Sequence, residues 1–150
     1  MTESDLRQLL DAVRAGNVSA DDALVRLKSG PFRAANLGFA QVDHHRRLRQ
    51  GLGEVILGEA KTIDQILAIA REAGAPGTPV LITRLQPEKI ARLTEEYPDG
   101  RANAAARTFT LHAPAPREGA TGAPHVAIVA AGTSDFPVAE EAVEVCVAME

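Results

Sequence analysis

One continuous apolar run near the carboxyl end constrains the fold more than any other feature. The run, HVAIVA at residues 125–130, is typical of a strand that is buried on both faces of a parallel sheet. A turn follows it, and the apolar spacing of residues 136–149 then predicts one helix. Because a lone strand and helix cannot cover both faces of such a strand, we expect the chain to stop inside a second domain. Residues 125–150 are then the first strand–helix unit of that incomplete domain.

A segment without periodicity separates that unit from the rest of the chain. Residues 113–124, APAPREGATGAP, are typical of a linker. Residues 1–112 predict an amino-terminal domain of the α/β or α+β class, with two leading helices followed by the order β–β–α–β–α–β. A capping box of Thr62 and Gln65 marks the start of one helix. The predicted strands are residues 39–43, 53–58, 79–85 and 107–112, and the helices between the later strands begin at Thr62 and Pro87.

Composition argues against several kinds of partner. The net charge of −4, the aromatic content of 3% and the absence of tryptophan disfavour a nucleic-acid partner, because such surfaces are basic or carry stacking side chains. The single cysteine, Cys146, gives no disulfide or zinc pattern, and its place between two valines of a predicted helix indicates a buried thiol rather than a nucleophile. No stretch resembles a signal peptide or a membrane span, so we expect a cytoplasmic protein with no membrane partner.

A basic segment, DHHRRLRQGLGEVILGEAKT, is the main candidate for ligand binding. Asp43, Arg46 and Arg49 recur every third residue, so a helical turn would align them on one side. The two guanidinium groups suit bidentate binding of a phosphate or a carboxylate. Lys61 and Thr62 stand at the start of the next predicted helix, where free N–H groups and the helix dipole favour an anion. The segment therefore predicts an anion site.

Two alternatives stay open for this segment. A run of cations is about as often a solvated surface as a binding site, and Asp43 and Glu54 are able to hold the arginines in structural ion pairs. A metal site is disfavoured, because the adjacent His44 and His45 would point to opposite faces of a strand.

Two turns are further candidates. Gly132, Thr133, Ser134 and Asp135 follow the apolar run and would lie at the carboxyl end of its strand, where open α/β sheets bind ligands. Their N–H groups and hydroxyls are suited to a phosphate. Alternatively, Ser134 or Asp135 only caps the helix and Gly132 only permits the turn. Thr83 and Arg84, near the end of the predicted strand 79–85, are a weaker candidate, and an exposed arginine at a strand end is the alternative.

Together these segments resemble a known family. The pattern D-x-x-R-x-x-R-x-G-x-x-E-V-I-x-G-x-x-K-T, from Asp43 to Thr62, resembles the signature of the LarB proteins. The linker followed by VAIVAAGTSDFPVAEEA looks like the junction to their second domain, which is similar to aminoimidazole ribonucleotide carboxylase, the PurE fold. The resemblance covers most of the chain from about Gly30 onward. Of the turn pattern G-S-x-S-D in that superfamily, this chain matches the last two positions with Ser134 and Asp135.

The resemblance implies pyridinium-3,5-biscarboxylic acid mononucleotide synthase, which makes the first intermediate of the nickel-pincer nucleotide used by lactate racemase. Such an enzyme carboxylates nicotinic acid adenine dinucleotide with CO2 or bicarbonate and hydrolyses it to release AMP, with Mg²⁺ at the pyrophosphate. A family cysteine adds to the pyridinium ring, and it is expected beyond residue 150, so we expect this chain alone to be inactive.

The resemblance also implies a homo-oligomer, an octamer for the full-length protein. It places Arg46, Arg49 and Lys61 at the anionic groups of the substrate, and residues 132–135 in the nucleotide pocket. The alternatives are an aminoimidazole ribonucleotide carboxylase of purine synthesis, or a non-catalytic nucleotide-binding or oligomerisation module.

Overall fold

The computed structural model describes residues 3–29, 34–44, 46, 52–75, 77–114 and 126–149. The chain divides into two compact units, Met1–Glu54 and Val55–Glu150. Helices and short strands are mixed in the described residues, and this confirms the predicted α/β class. None of the described helices has the length and apolar character needed to cross a membrane.

The first unit contains two helices and a two-stranded sheet. Helix α1 (Glu3–Arg14) packs against α2 (Ala20–Ser29), and α1 is followed by Gly16 in the left-handed region at φ +75°. This is the helix stop that glycine permits. Strands β1 (Ala34–Asn36) and β2 (Gln41–Asp43) pair antiparallel. The two leading helices were predicted, whereas β1 was not.

The second unit is built on a four-stranded sheet with the order β3-β4-β6-β5. Strand β3 is parallel to β4, and the other two pairs are antiparallel. The strands are β3 (Val55–Leu57), β4 (Val80–Thr83), β5 (Arg101–Asn103) and β6 (Thr108–Leu111), and the helices are α3 (Ile63–Gly74), α4 (Pro87–Glu96) and α5 (Phe136–Ala148). Helix α3 connects the two parallel strands and forms a β–α–β unit.

Helices cover both faces of this sheet. Every residue of β4 and β6 is buried, as expected for central strands with both faces covered. One face carries Phe109 and Leu111, and Leu111 lies against Gly74 of α3. The opposite face carries Arg101 and Asn103, which contact α5. Leu81 is also fully buried on this opposite face, so the α3 side of the sheet is apolar and the α5 side is mixed.

Two parts of the second unit differ from the prediction. Residues 126–130, predicted as a strand, form no strand, and Val126 and Val129 are exposed. A strand needs a hydrogen-bonded neighbour, and no described strand of the sheet pairs with these residues. Strand β5 was missed because its sequence, RAN, has no apolar alternation.

Candidate anion-binding site

The basic segment begins in the first unit, where its first arginine meets a carboxylate. Asp43 ends β2, and Arg46 Nη1 lies 3.7 Å from Glu54 Oε1. Arg46 Nε is buried and has no hydrogen-bond partner among the residues that the structure describes. Arg49 lies outside the described residues. Arg46 is therefore held beside a carboxylate while one of its donors is still unused.

Glu54, the carboxylate beside Arg46, is partly buried. Burial raises the pKa of the Glu54 carboxyl above its ordinary value, and the neighbouring Asp43 charge also raises it. Arg46 and a backbone hydrogen bond at Asp43 lower that pKa, but the net direction is upward. The first unit thus holds a partly desolvated acid beside an arginine.

The basic segment ends in the second unit, in the turn that joins β3 to α3. Thr62 Oγ1 accepts a hydrogen bond from the Gln65 N–H at 3.3 Å, and Gln65 Oε1 accepts one from the Thr62 N–H at 3.0 Å. The predicted capping box is confirmed. Because the box already satisfies the Gln65 amide and Asp64 lies in the first turn, the helix start alone is a weak attraction for an anion.

A lysine that sequence reasoning missed fixes this turn. Lys89 Nζ, on α4, donates to the backbone oxygens of Gly58 at 2.8 Å and Lys61 at 2.7 Å. The Gly58 N–H donates to Thr83 O at 2.8 Å, and a Cβ on Gly58 would lie 2.6 Å from Leu85 Cδ2. No local pattern marks Lys89, since these contacts join residues 28 and 31 positions apart. The turn is therefore fixed by the hydrogen bonds from Lys89 and by the close packing at Gly58; we call it the pinned turn.

Three cations surround the carboxyl ends of β3 and β4, and we name them the cationic rim: Lys61 in the pinned turn, Arg84 after β4 and Arg107 before β6. The Leu85 N–H donates to Arg107 O at 2.8 Å, and Arg107 Nε donates to Leu85 O at 3.1 Å. Arg84 and Arg107 have φ values of 53° and 56°, in the left-handed region that non-glycine residues rarely adopt. Such backbone strain is concentrated at functional sites.

The cationic rim is suited to an anion. Ligands of α/β sheets bind beyond the carboxyl ends of parallel strands, which is where the rim lies. Arg84 Nη1 is 3.7 Å from Glu59 Oε2, but both side chains are more than half exposed. An exposed pair of this kind contributes little, so a ligand replaces it at small cost. Guanidinium forks match the geometry of phosphate and carboxylate oxygens.

The turn at residues 132–135 is exposed in the same unit. Gly132 has φ +123°, and the Asp135 N–H donates to Gly132 O at 3.3 Å. Asp135 precedes α5, but its side chain makes no capping hydrogen bond. Among the described residues, no hydrogen bond or ion pair joins this turn to Lys61 or Thr62 side chains. The structure therefore shows a glycine-permitted turn whose hydroxyls have no described partner.

Other groups of possible interest lie away from the rim. A cavity of about 300 Å³ is lined in part by Tyr97, Asp99 and His112, but it lies at the amino end of β4, opposite to the end where ligands bind. Cys146 is half-buried in α5. No group of three or more His, Cys, Asp or Glu side chains is placed to hold a metal ion in the described part of the chain.

Comparison with known proteins gives two matches. A family model described as the LarB/PurE-like N-terminal domain matches residues 34–113, which include β1 to β6. The uncharacterized protein MJ0165 of Methanocaldococcus jannaschii is 30% identical over 145 residues, which cover 92% of this chain and 55% of that protein. The chain thus spans about half the length of the curated relative that it matches.

Proposed function

The chain belongs to the LarB family, which is of the carboxylase type, and on that premise we propose that it is part of an enzyme acting on nicotinic acid adenine dinucleotide. The full-length protein would carboxylate the pyridinium ring and hydrolyse the phosphoanhydride. The products would be pyridinium-3,5-biscarboxylic acid mononucleotide and AMP, in the first step of nickel-pincer nucleotide biosynthesis.

The observation that carries this proposal is the cationic rim on a chain whose net charge is negative. The substrate has a pyrophosphate and a ring carboxylate, and each anionic group requires a cationic or N–H partner. Lys61, Arg84 and Arg107 lie near the carboxyl ends of β3 and β4, the end at which α/β sheets commonly bind ligands, and Lys89 holds the turn that carries Lys61. The rim would bind one of these anionic groups and orient the substrate.

The chemistry of the ring would come from elsewhere in the full-length protein. An electron-poor pyridinium resists attack on CO2, and covalent addition of a thiolate would make it a nucleophile. We assign no such role to Cys146, because it is half-buried in a helix between valines. Bicarbonate or CO2 would be the second substrate, and Mg²⁺ would be bound at the pyrophosphate. Residues 132–135 would contribute to the nucleotide pocket.

One assay tests the proposal. The full-length protein is incubated with nicotinic acid adenine dinucleotide, bicarbonate and Mg²⁺, and the products are identified by mass. We expect the dicarboxylated mononucleotide and AMP in equal amounts, and both should be lost when bicarbonate is omitted or Mg²⁺ is chelated. A folded protein that makes neither product would remove the proposal. Turnover of aminoimidazole ribonucleotide instead would favour the purine carboxylase.

A non-catalytic nucleotide-binding or oligomerisation module is the second candidate. It is favoured by the ion pairs of Arg46 with Glu54 and of Arg84 with Glu59, which use cations in contacts within the protein.

We propose a cytoplasmic homo-oligomer, octameric as a full-length protein, and light scattering measures this state. Under the module hypothesis, deleting residues 1–112 would dissociate the oligomer and leave turnover per subunit unchanged.

A further inference from the structure

The face of the second unit's sheet that meets α5 carries several polar side chains beside the fully buried Leu81. Residues directly opposite each other in a ladder share a face, and so do residues two apart in a strand. On this rule the face carries five polar side chains, which we name the polar face: Thr83, Arg101, Asn103, Thr108 and Thr110. Thr108 and Thr110 are fully buried. Their hydroxyls and Arg101 Nε have no hydrogen-bond partner among the described residues.

Glu144 of α5 places a carboxylate on the polar face. Its Oε2 accepts a hydrogen bond from Arg101 Nη2 at 2.9 Å, and its Oε1 accepts one from Asn103 Nδ2 at 3.0 Å. Asn103 Nδ2 also donates to Glu140 Oε2 at 3.2 Å. Glu144 is only 7% exposed, so this is a buried, charge-assisted contact. Each oxygen of one carboxylate thus has its own donor, which is how a carboxylate ligand is held.

Helix α5 satisfies only part of the polar face. Buried polar groups in proteins are normally hydrogen-bonded, yet two hydroxyls and one guanidinium nitrogen remain unused here. The helix also leaves Phe136, Val138 and Val143 exposed, so its apolar surface is not matched to this single sheet. The unused donors indicate a face shaped for a ligand with more acceptor atoms than one glutamate provides.

We propose that the polar face is a carboxylate-binding site, and that the side chain of Glu144 occupies the position of the carboxylate ligand. The ligand class is a small carboxylate with further oxygen acceptors beside the carboxylate. Arg101 and Asn103 hold the carboxylate, and the hydroxyls of Thr108 and Thr110 donate to the adjoining acceptors. None of the residues that would hold the ligand belongs to the cationic rim, and the site does not depend on the proposed function.

Chemical rescue tests this site in the full chain. Glu144→Ala removes the carboxylate and leaves a space of carboxylate size beside Arg101. Breaking a buried charged pair in this way should lower the thermal midpoint by about 5–10 °C. Acetate, added at an ionic strength held constant with chloride, should recover at least half of that loss. Malonate, which carries the additional acceptor oxygens, should recover more than acetate does.

Three variants control the rescue. Glu141→Ala removes a carboxylate of the same helix with no described contact to the polar face, and acetate should not change its midpoint. Glu144→Gln fills the space, so it should fold and show no acetate response. Adding Arg101→Ala to Glu144→Ala should abolish rescue. The proposal is overturned if acetate stabilises Glu144→Ala no more than Glu141→Ala, if phosphate rescues where acetate does not, or if Glu144→Ala stays unfolded with both carboxylates.

Discussion

The two ends of the basic segment differ in how their cations are held. In the first unit, Arg46 lies beside the partly buried Glu54. In the second unit, the backbone of Lys61 is fixed by Lys89, and no described carboxylate forms an ion pair with the Lys61 ammonium. The spacing of cations along the sequence predicts a possible anion site. Contacts with residues far along the chain determine which of those cations are available to a ligand.

The strongest test of this difference is the loss of the cationic rim. In the full-length enzyme, Lys61→Ala combined with Arg84→Ala removes two charged contacts, worth roughly 3–6 kcal/mol in total. We therefore expect kcat/KM for nicotinic acid adenine dinucleotide to fall by about 10²–10⁴-fold, since each 1.4 kcal/mol is about tenfold. The measurement is steady-state kinetics, with the thermal midpoint recorded to show that the fold is kept.

Two single variants show whether the two ends differ as described. Arg46→Ala should lower kcat/KM by less than the double variant, because Glu54 already occupies one side of this guanidinium. Arg92→Ala, an exposed arginine of α4 that pairs with Glu95, should leave kcat/KM unchanged. A loss for Arg46→Ala equal to that of the double variant would contradict the distinction between the two ends.

The next largest effect is expected from the lysine that pins the turn. Lys89→Met keeps the length of the side chain but leaves the carbonyls of Gly58 and Lys61 without their charged donor. The free energy of unfolding should fall by about 2–3 kcal/mol, measured by urea denaturation. Lys28→Met, which removes an exposed lysine of α2, is the matched control and should change stability little. An equal response from both variants would show that the turn does not need Lys89.

Lys89 also shows where sequence reasoning stops. The capping box of Thr62 and Gln65 could be predicted because it is local, and so could the apolar strand β4. The contacts of Lys89 and the left-handed arginines of the rim could not, because they are set by strands and helices that meet far along the chain.

The run at residues 125–130 is a case in which a local sequence pattern led to a wrong prediction of secondary structure. Its apolar composition predicts a strand. A strand also needs a neighbouring strand to pair with, which composition cannot reveal, and residues 126–130 pair with no described strand. The placement of Arg49 on the anion site stays a prediction, as does that of residues 132–135.

A smaller effect on stability comes from the close approach at Gly58. In Gly58→Ala the new methyl would meet Leu85 Cδ2 at 2.6 Å and Thr83 O at 3.0 Å, so the turn must shift. We expect a loss of about 1–2 kcal/mol in urea unfolding from this overpacking. Gly74→Ala is the control, because its methyl meets His112 at an ordinary 3.5 Å and it lies within α3. This change should stabilise by about 0.5–1 kcal/mol. A neutral Gly58→Ala would mean that the turn is not tightly packed.

The smallest effect is expected at the other end of the segment, where Glu54 titrates. Because folding raises the pKa of Glu54, mainly through burial, the folded state binds this proton more tightly than the unfolded state does. Its stabilising contribution is therefore complete below about pH 4.3, the usual value for an unfolded chain, and is lost as the pH rises through the folded pKa. Glu54→Gln does not titrate, so its stability relative to the parent should rise as the pH increases from 4 to 7.

Urea denaturation of both proteins at pH 4 and pH 7 measures this change. Glu59→Gln, in the exposed pair with Arg84, should change stability little at either pH. If the relative stability of Glu54→Gln instead falls from pH 4 to pH 7, the attraction of Arg46 outweighs the burial of the carboxylate. Arg46 would then be a structural cation, and the anion site would reside in the cationic rim of the second unit.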